Sequence, residues 1–156
     1  MDAETTYKIL AGVCTFGSGM LAGSAFYINT IEHPSRMTIE DTKSCHRQWK
    51  ETFDLAKKQQ MKIHLALCVA GAGAYYLKPS TGSPWLVNAG ILTINLPYTL
   101  LVLKPNSIDP IYEDAVVSEK SDAYVRDHIN LWNRYHGFRT VVNCVAFGYC
   151  LYSLLK

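Results

Sequence analysis

Four long runs of apolar residues, nearly free of charge, alternate along this chain with polar segments. Ile9 to Ile31 gives 23 residues without a charge, and Trp85 to Leu103 gives 19. Met61 to Leu77 gives 17 with one Lys and one His, and Gly137 to Leu155 gives 19 with a single Arg. As helices these runs would be about 26 to 35 Å long, against a hydrocarbon core of about 30 Å. Backbone polar groups in lipid need partners within the segment, so helices are the expected form. A soluble bundle would need a polar outer face on each helix, and these runs have none. The pattern predicts an all-α integral membrane four-helix bundle, one domain over 1–156, with spans at about 9–31, 61–77, 85–103 and 137–155.

The two long loops carry a helical period of their own. Thr38 with Asp41 reads as a capping pair, and Trp49, Phe53, Ala56, Gln60 and His64 then recur at three- and four-residue intervals into span two. Asp109–Pro110 reads as a helix start, and Val125, Ile129, Trp132, His136, Arg139 and Asn143 run as one stripe into span four. Spans two and four are therefore expected to continue as helices on the cytoplasmic side and pack on each other. Gly19 and Gly23, and Ala66, Ala70 and Ala74, have the spacing that lets helix backbones approach closely in lipid. Tyr7, Tyr75, Tyr76, Trp85, Trp132 and Tyr135 fall near span ends, where amphipathic rings favour the headgroup layer. Pro97 inside span three is tolerable in a membrane helix.

Charge fixes an expected orientation. Eleven Lys and Arg lie in the two long loops and the adjoining helix ends, whereas Lys8, Lys78 and Lys156 lie opposite. The positive-inside rule then puts both long loops in the cytoplasm and both termini on the other side. Asp2 and Glu4 precede the first span, which is also too long for a signal peptide. Lys plus Arg total 15 against 13 Asp plus Glu, which argues against a nucleic-acid partner. The expected partners are the lipid bilayer and a hydrophobic small molecule; organelle and oligomeric state are not encoded in any motif. Five cysteines without a Cys-x-x-Cys pair give no redox framework and read as small packing residues.

The chemistry-bearing residues gather at one membrane level. Trp132, His136, Arg139 and Asn143 lie within about 60° of one another on a helix. An intramembrane Arg usually faces the bundle interior, the alternative being a side chain that snorkels to the interface. Asn88, Asn95 and Thr99 share a face of span three, where hydrogen bonding between helices competes with ligand contact. Span one ends in His33–Pro34 and span two opens near His64, so connectivity puts His33, His64, His136 and Arg139 at the cytoplasmic end. If a metal were held, His33, His64 and His136 would be its ligands, and haem or another metal cofactor stays open. His46 and His128 read as solvated loop residues.

These residues also resemble a known pattern. The Gly19–Gly23 helix ending in His33–Pro34, then Trp49, Leu96–Pro97–Tyr98–Thr99, Pro105–Asn106 and Trp132-x-x-x-His136-x-x-Arg139–Thr140 resemble the anthrone oxygenase-like family of small four-span membrane proteins. The resemblance implies a four-helix membrane bundle, and some fungal members oxidise anthrones to anthraquinones with dioxygen as co-substrate. It implies site positions at His33, Trp132, His136 and Arg139, with Thr99 and Asn106 beside them. The expected catalytic set is His136, Arg139 and His33, and the expected substrate-binding set is Trp132, Asn143, Thr99 and Asn95. A non-catalytic tetraspan scaffold and a carrier of a hydrophobic small molecule are the competing expectations.

Overall fold

The computed structural model describes residues 2–156, and among them every regular element is a helix. In order these are α1 (Ala3–Tyr27), a π-helical turn (Ile28–Glu32), α2 (His33–Met37), α3 (Thr42–Leu77), α4 (Pro79–Thr93), α5 (Asn95–Tyr98), a π-helical stretch (Thr99–Ile108), a 3-10 turn (Asp109–Ile111), α6 (Val116–Glu119) and α7 (Asp122–Leu154). The chain forms two compact units. The first holds Met1–Ser24, Gln59–Ile94 and Val141–Lys156; the second holds Ala25–Lys58 and Asn95–Thr140.

Two helical stretches, Ala3–Met37 and Pro79–Ile111, are long and apolar enough to cross a membrane. Only 39% and 22% of their most apolar windows are buried. A core helix of a soluble protein would be mostly buried, so the exposed remainder marks a membrane protein. α3 and α7 do continue as single helices from the polar loops through the segments expected as spans two and four. They fall short of the same apolarity, because Lys62, His64, Arg139 and Asn143 interrupt their apolar halves.

The first unit packs small side chains inside. Its core holds Ala11, Cys14, Leu21, Leu67, Ala70, Ala74, Trp85, Leu92, Ala146 and Cys150. Close backbone approach is carried by glycines other than the expected pair: a Cβ at Gly71 would meet the Trp85 carbonyl oxygen at 2.6 Å, and one at Gly82 the Ala74 carbonyl oxygen at 2.3 Å, whereas one at Gly19 would meet the Phe147 ring at 3.1 Å. Nothing lies within 4 Å of a Cβ built at Gly23, and Ala66 is exposed. The small-residue spacing was thus right for Ala70 and Ala74, and wrong for Gly23 and Ala66. Only Lys78 separates α3 from α4, and such a short reversal brings the two backbones together. Trp85 is buried instead of sitting in a headgroup belt, because its indole N–H donates to Tyr7 Oη at 3.1 Å. That hydroxyl donates onward to the Thr81 carbonyl at 2.8 Å.

The second unit is aromatic inside. Trp49, Trp132, Ile28, Cys45, Leu103 and Ile111 belong to its core, with Phe53, Tyr98, Tyr112 and Tyr135 packed against it. Its turns close on hydrogen bonds. Asp41 Oδ2 accepts the Ser44 N–H at 2.8 Å, so Asp41 alone caps α3, and Thr38 ends α2 instead. Arg126 donates through Nη2 to the Ile39 and Glu40 carbonyls, both at 2.6 Å, and fastens that turn to α7. The helix start expected at Asp109–Pro110 is a single 3-10 turn; the long helix opens at Asp122, where Ser121 Oγ accepts the Tyr124 N–H at 3.3 Å.

Candidate functional site

Proline shapes the entrance of the site. Pro34 has no N–H to donate, and the preceding turn widens so that the His33 N–H reaches the Ile28 carbonyl five residues back. π-turns of this kind recur at functional sites, and this one carries Asn29. Asn29 Nδ2 donates to the Asn133 carbonyl at 2.8 Å, which fixes the orientation of the amide. Its Oδ1 then faces His136 Nδ1 at 3.0 Å and accepts from Thr140 Oγ1. His136 must therefore carry its proton on Nδ1, which makes Nε2 the lone-pair nitrogen. The Trp132 ring lies 5.2 Å from the His136 ring, tilted by 31°.

His136 is 2% exposed and stands one residue before the expected fourth span. Burial first, then the guanidinium groups of Arg139 and Arg36, hold it below the ordinary imidazole range. A neutral ring with a fixed tautomer is a general base in its working form. His33 is also buried. Its Nε2 faces Asn130 Oδ1 at 3.0 Å, which leaves the lone pair on Nδ1, and that atom has no partner.

Two residues that the sequence did not single out as site residues complete this region. Arg36 is 2% exposed, pairs with Glu32 one turn back, and donates through Nε to Gln48 Oε1. Its Cζ lies 5.7 Å from the centre of the Trp132 ring. Trp49 meets Trp132 edge-on at 6.1 Å and stacks on Phe53 at 5.7 Å. Arg36 Nη1, Trp49 Nε1 and Trp132 Nε1 are buried donors without an acceptor. Each unmatched donor costs about 1–3 kcal/mol, a heavy charge against a typical stability of about 5–15 kcal/mol. The sequence signal for Arg36 was its place one helical turn past Glu32 and three residues after His33.

The remaining expected residues are scattered. Arg139 lies in the second unit and is partly buried, as is Thr99; Asn95 is buried there. Asn106 is exposed, its Nδ2 donating to the Val102 carbonyl at 2.8 Å. Asn143 and His64 belong to the first unit, where Asn143 Nδ2 donates to the Leu21 carbonyl at 3.3 Å and His64 Nε2 stands 3.5 Å from Thr93 Oγ1. Among the described residues no three His, Cys, Asp or Glu side chains come together to hold a metal ion, so His33, His64 and His136 form no ligand set. His46 is buried, not solvated, because its Nε2 donates to the Ile111 carbonyl at 2.6 Å.

A shallow cavity of about 400 Å³ lies elsewhere in this unit, lined by Lys43, His46, Arg47, Lys50, Asp54 and Asp114 among others. Its charges are mixed, with Lys50 paired to Asp114 at 2.8 Å, so it presents no single sign to a ligand.

A family model described as Anthrone oxygenase matches residues 49–149, which is 101 of the 156 residues. The match covers Trp49, Trp132, His136 and Arg139 and begins after Asn29, His33 and Arg36. No curated protein and no solved structure matches the chain.

Proposed function

From a chain that belongs to the anthrone oxygenase family, we propose a four-span membrane enzyme that uses dioxygen to oxidise a hydrophobic phenolic or anthrone-like substrate. In this reading both long loops face the cytoplasm and both termini face away, as the eleven-to-three division of basic residues favours. The observation that carries the reading is the buried His136, its proton held on Nδ1 by Asn29 and its ring set against Trp132.

The chemistry follows from the substrate class. A methylene flanked by aromatic rings and conjugated to a ketone loses a proton to His136 Nε2, and the electron pair moves onto the ketone oxygen. Positive charge on Arg139 favours that anion, and Arg36, paired with Glu32, keeps a hydrogen-bond donor free for it. Trp132 supplies a flat apolar wall for the rings. The carbanion adds to dioxygen and takes a proton back, giving a hydroperoxide. Loss of water then leaves a second carbonyl, so that CH2 and O2 become C=O and H2O. Both reactants partition into lipid, which places them where the apolar helices lie.

The test is dioxygen consumption by the purified full chain in lipid nanodiscs with an anthrone as substrate. The wild type should form the quinone, and His136→Ala should lose turnover while keeping its helical circular-dichroism spectrum. Full activity in that variant overturns the role of His136, and an inactive wild type that retains the anthrone leaves a carrier in place of an enzyme.

A further inference from the structure

We propose that Arg36, Trp49 and Trp132 form a hydrogen-bonding site for the ketone oxygen of a planar aromatic ligand, with Arg36 Nη1 and the two indole N–H groups as donors. The proposal rests on the reading of this unit as the place where an aromatic ketone reacts, and it names the groups that hold the ketone.

Three observations meet here. All three side chains are buried, and each carries an N–H donor that has no acceptor. They are also neighbours: the Arg36 guanidinium lies 5.7 Å from the Trp132 ring, and that ring lies 6.1 Å from Trp49. Buried donors in native proteins nearly always find acceptors, so three adjacent exceptions point to an acceptor supplied from outside the chain. Aliphatic or cationic ligands would leave all three unmet, and a thioether sulfur would meet them only weakly. Oxygen with its lone pairs suits them.

The charge balance narrows the class further. Glu32 already neutralises Arg36, so a full carboxylate would bring a second negative charge into a dry interior. A carbonyl arrives neutral and gains negative charge only as the reaction proceeds, which is when charge-assisted hydrogen bonds strengthen. The walls favour a flat partner. Trp49 and Phe53 stack at 12°, and Trp132 stands nearly perpendicular to both, at 83° and 87°. These rings already pack on one another, so an aromatic ligand would join the cluster through the same stacked and edge-to-face contacts.

The experiment compares anthraquinone, which has the acceptor oxygens and does not react further, with anthracene, which has the same rings and no oxygen. Each is partitioned between nanodiscs that hold the full chain and empty nanodiscs, so that solution in lipid cancels. Wild type should retain anthraquinone about tenfold better than anthracene, the ratio one charge-assisted hydrogen bond supplies. Arg36→Lys and Trp49→Phe should each erase most of that preference, since one removes Nη1 and the other an indole N–H while keeping a ring. Should Arg36→Lys fail to fold, Trp49→Phe and Trp132→Phe carry the test. Equal retention of the two ligands by wild type, or an unchanged preference in the variants, overturns the proposal and leaves water as the occupant. A preference that survives in a wild type without turnover upholds this site and removes the catalytic reading. Turnover together with indifference to the variants does the reverse.

Discussion

The two units of this chain invert each other's use of polarity. In the first, the interior is built of Ala, Cys, Leu and Gly, and large apolar groups such as Phe16, Leu65, Val69 and Tyr76 face outward. In the second, the interior is built of Trp, His, Arg and Ile, and the outer surface carries the charged residues of the long loops beside exposed apolar groups such as Phe26, Ile31, Leu100 and Leu101. Lipid explains the first: with no hydrophobic drive between helices, packing rests on small residues and close backbones. The charged loops of the second suit water, where aromatic burial is favourable and polar groups are drawn inside when paired. The lesson is that small-residue and aromatic packing divide the chain between them, and that the unmatched polar groups of chemical interest collect where aromatic packing is thickest.

The sharpest way to break this contrast is a pair of buried polar substitutions, one per unit. His136→Ala should reduce turnover by about 10²–10⁴-fold, the range of a lost general base. Asn88→Ala removes the 2.9 Å hydrogen bond to Ser18 in the first unit. It should cost about 1–3 kcal/mol in a melt while turnover at low temperature is kept. Equal kinetic losses in both variants would erase the functional distinction between the units.

Next comes a pair matched for exposure. Val69 in the first unit and Leu55 in the second are 65% and 68% exposed. Val69→Lys should oppose membrane insertion by about 2.5–3.5 kcal/mol, read as lost yield in the membrane fraction. Leu55→Lys should change stability by no more than about 0.5 kcal/mol. Comparable losses at both sites would mean one solvent bathes both surfaces.

Glycine at the close approach gives a smaller effect. Gly71→Ala puts a methyl group against the Trp85 carbonyl oxygen, a backbone atom that moves only with its helix. The expected cost is about 1–3 kcal/mol, measured as a lowered melting temperature in detergent. Gly23→Ala, with nothing near its Cβ, should be neutral or slightly stabilising.

The mildest expectation concerns pH. Burial and two neighbouring guanidinium groups lower the His136 pKa, so the neutral base persists above and somewhat below the usual imidazole value. Activity should therefore stay level as pH falls through about 6.5 and drop only at more acidic values. A limb at the ordinary imidazole pKa would place the working base in water.

Much of this was legible in the residue pattern. The all-helical fold, the first and third apolar runs, and the continuity of α3 and α7 from the polar loops all follow from period and length, which are local properties. Burial was read less well. Trp85 and Trp132 look like interfacial rings by position, yet both are buried, Trp85 because a nearby Tyr7 hydroxyl accepts its indole proton. His46 looks solvated by its charged neighbours, yet a carbonyl 65 residues away claims it. Such pairings depend on which groups the fold brings within 3 Å, and no window along the chain contains them.

The sequence by itself determined that this protein is helical, apolar enough for lipid, and armed with histidine and arginine near one end of its helices. It could do so because helical period and hydropathy need only neighbours three and four residues apart. Tertiary structure alone decided that Asn29 sets the His136 tautomer, that Arg36 is buried beside Trp132, and that three N–H donors there lack acceptors. Hydrogen-bond satisfaction is a sum over partners distant in sequence, so only the packed chain can evaluate it.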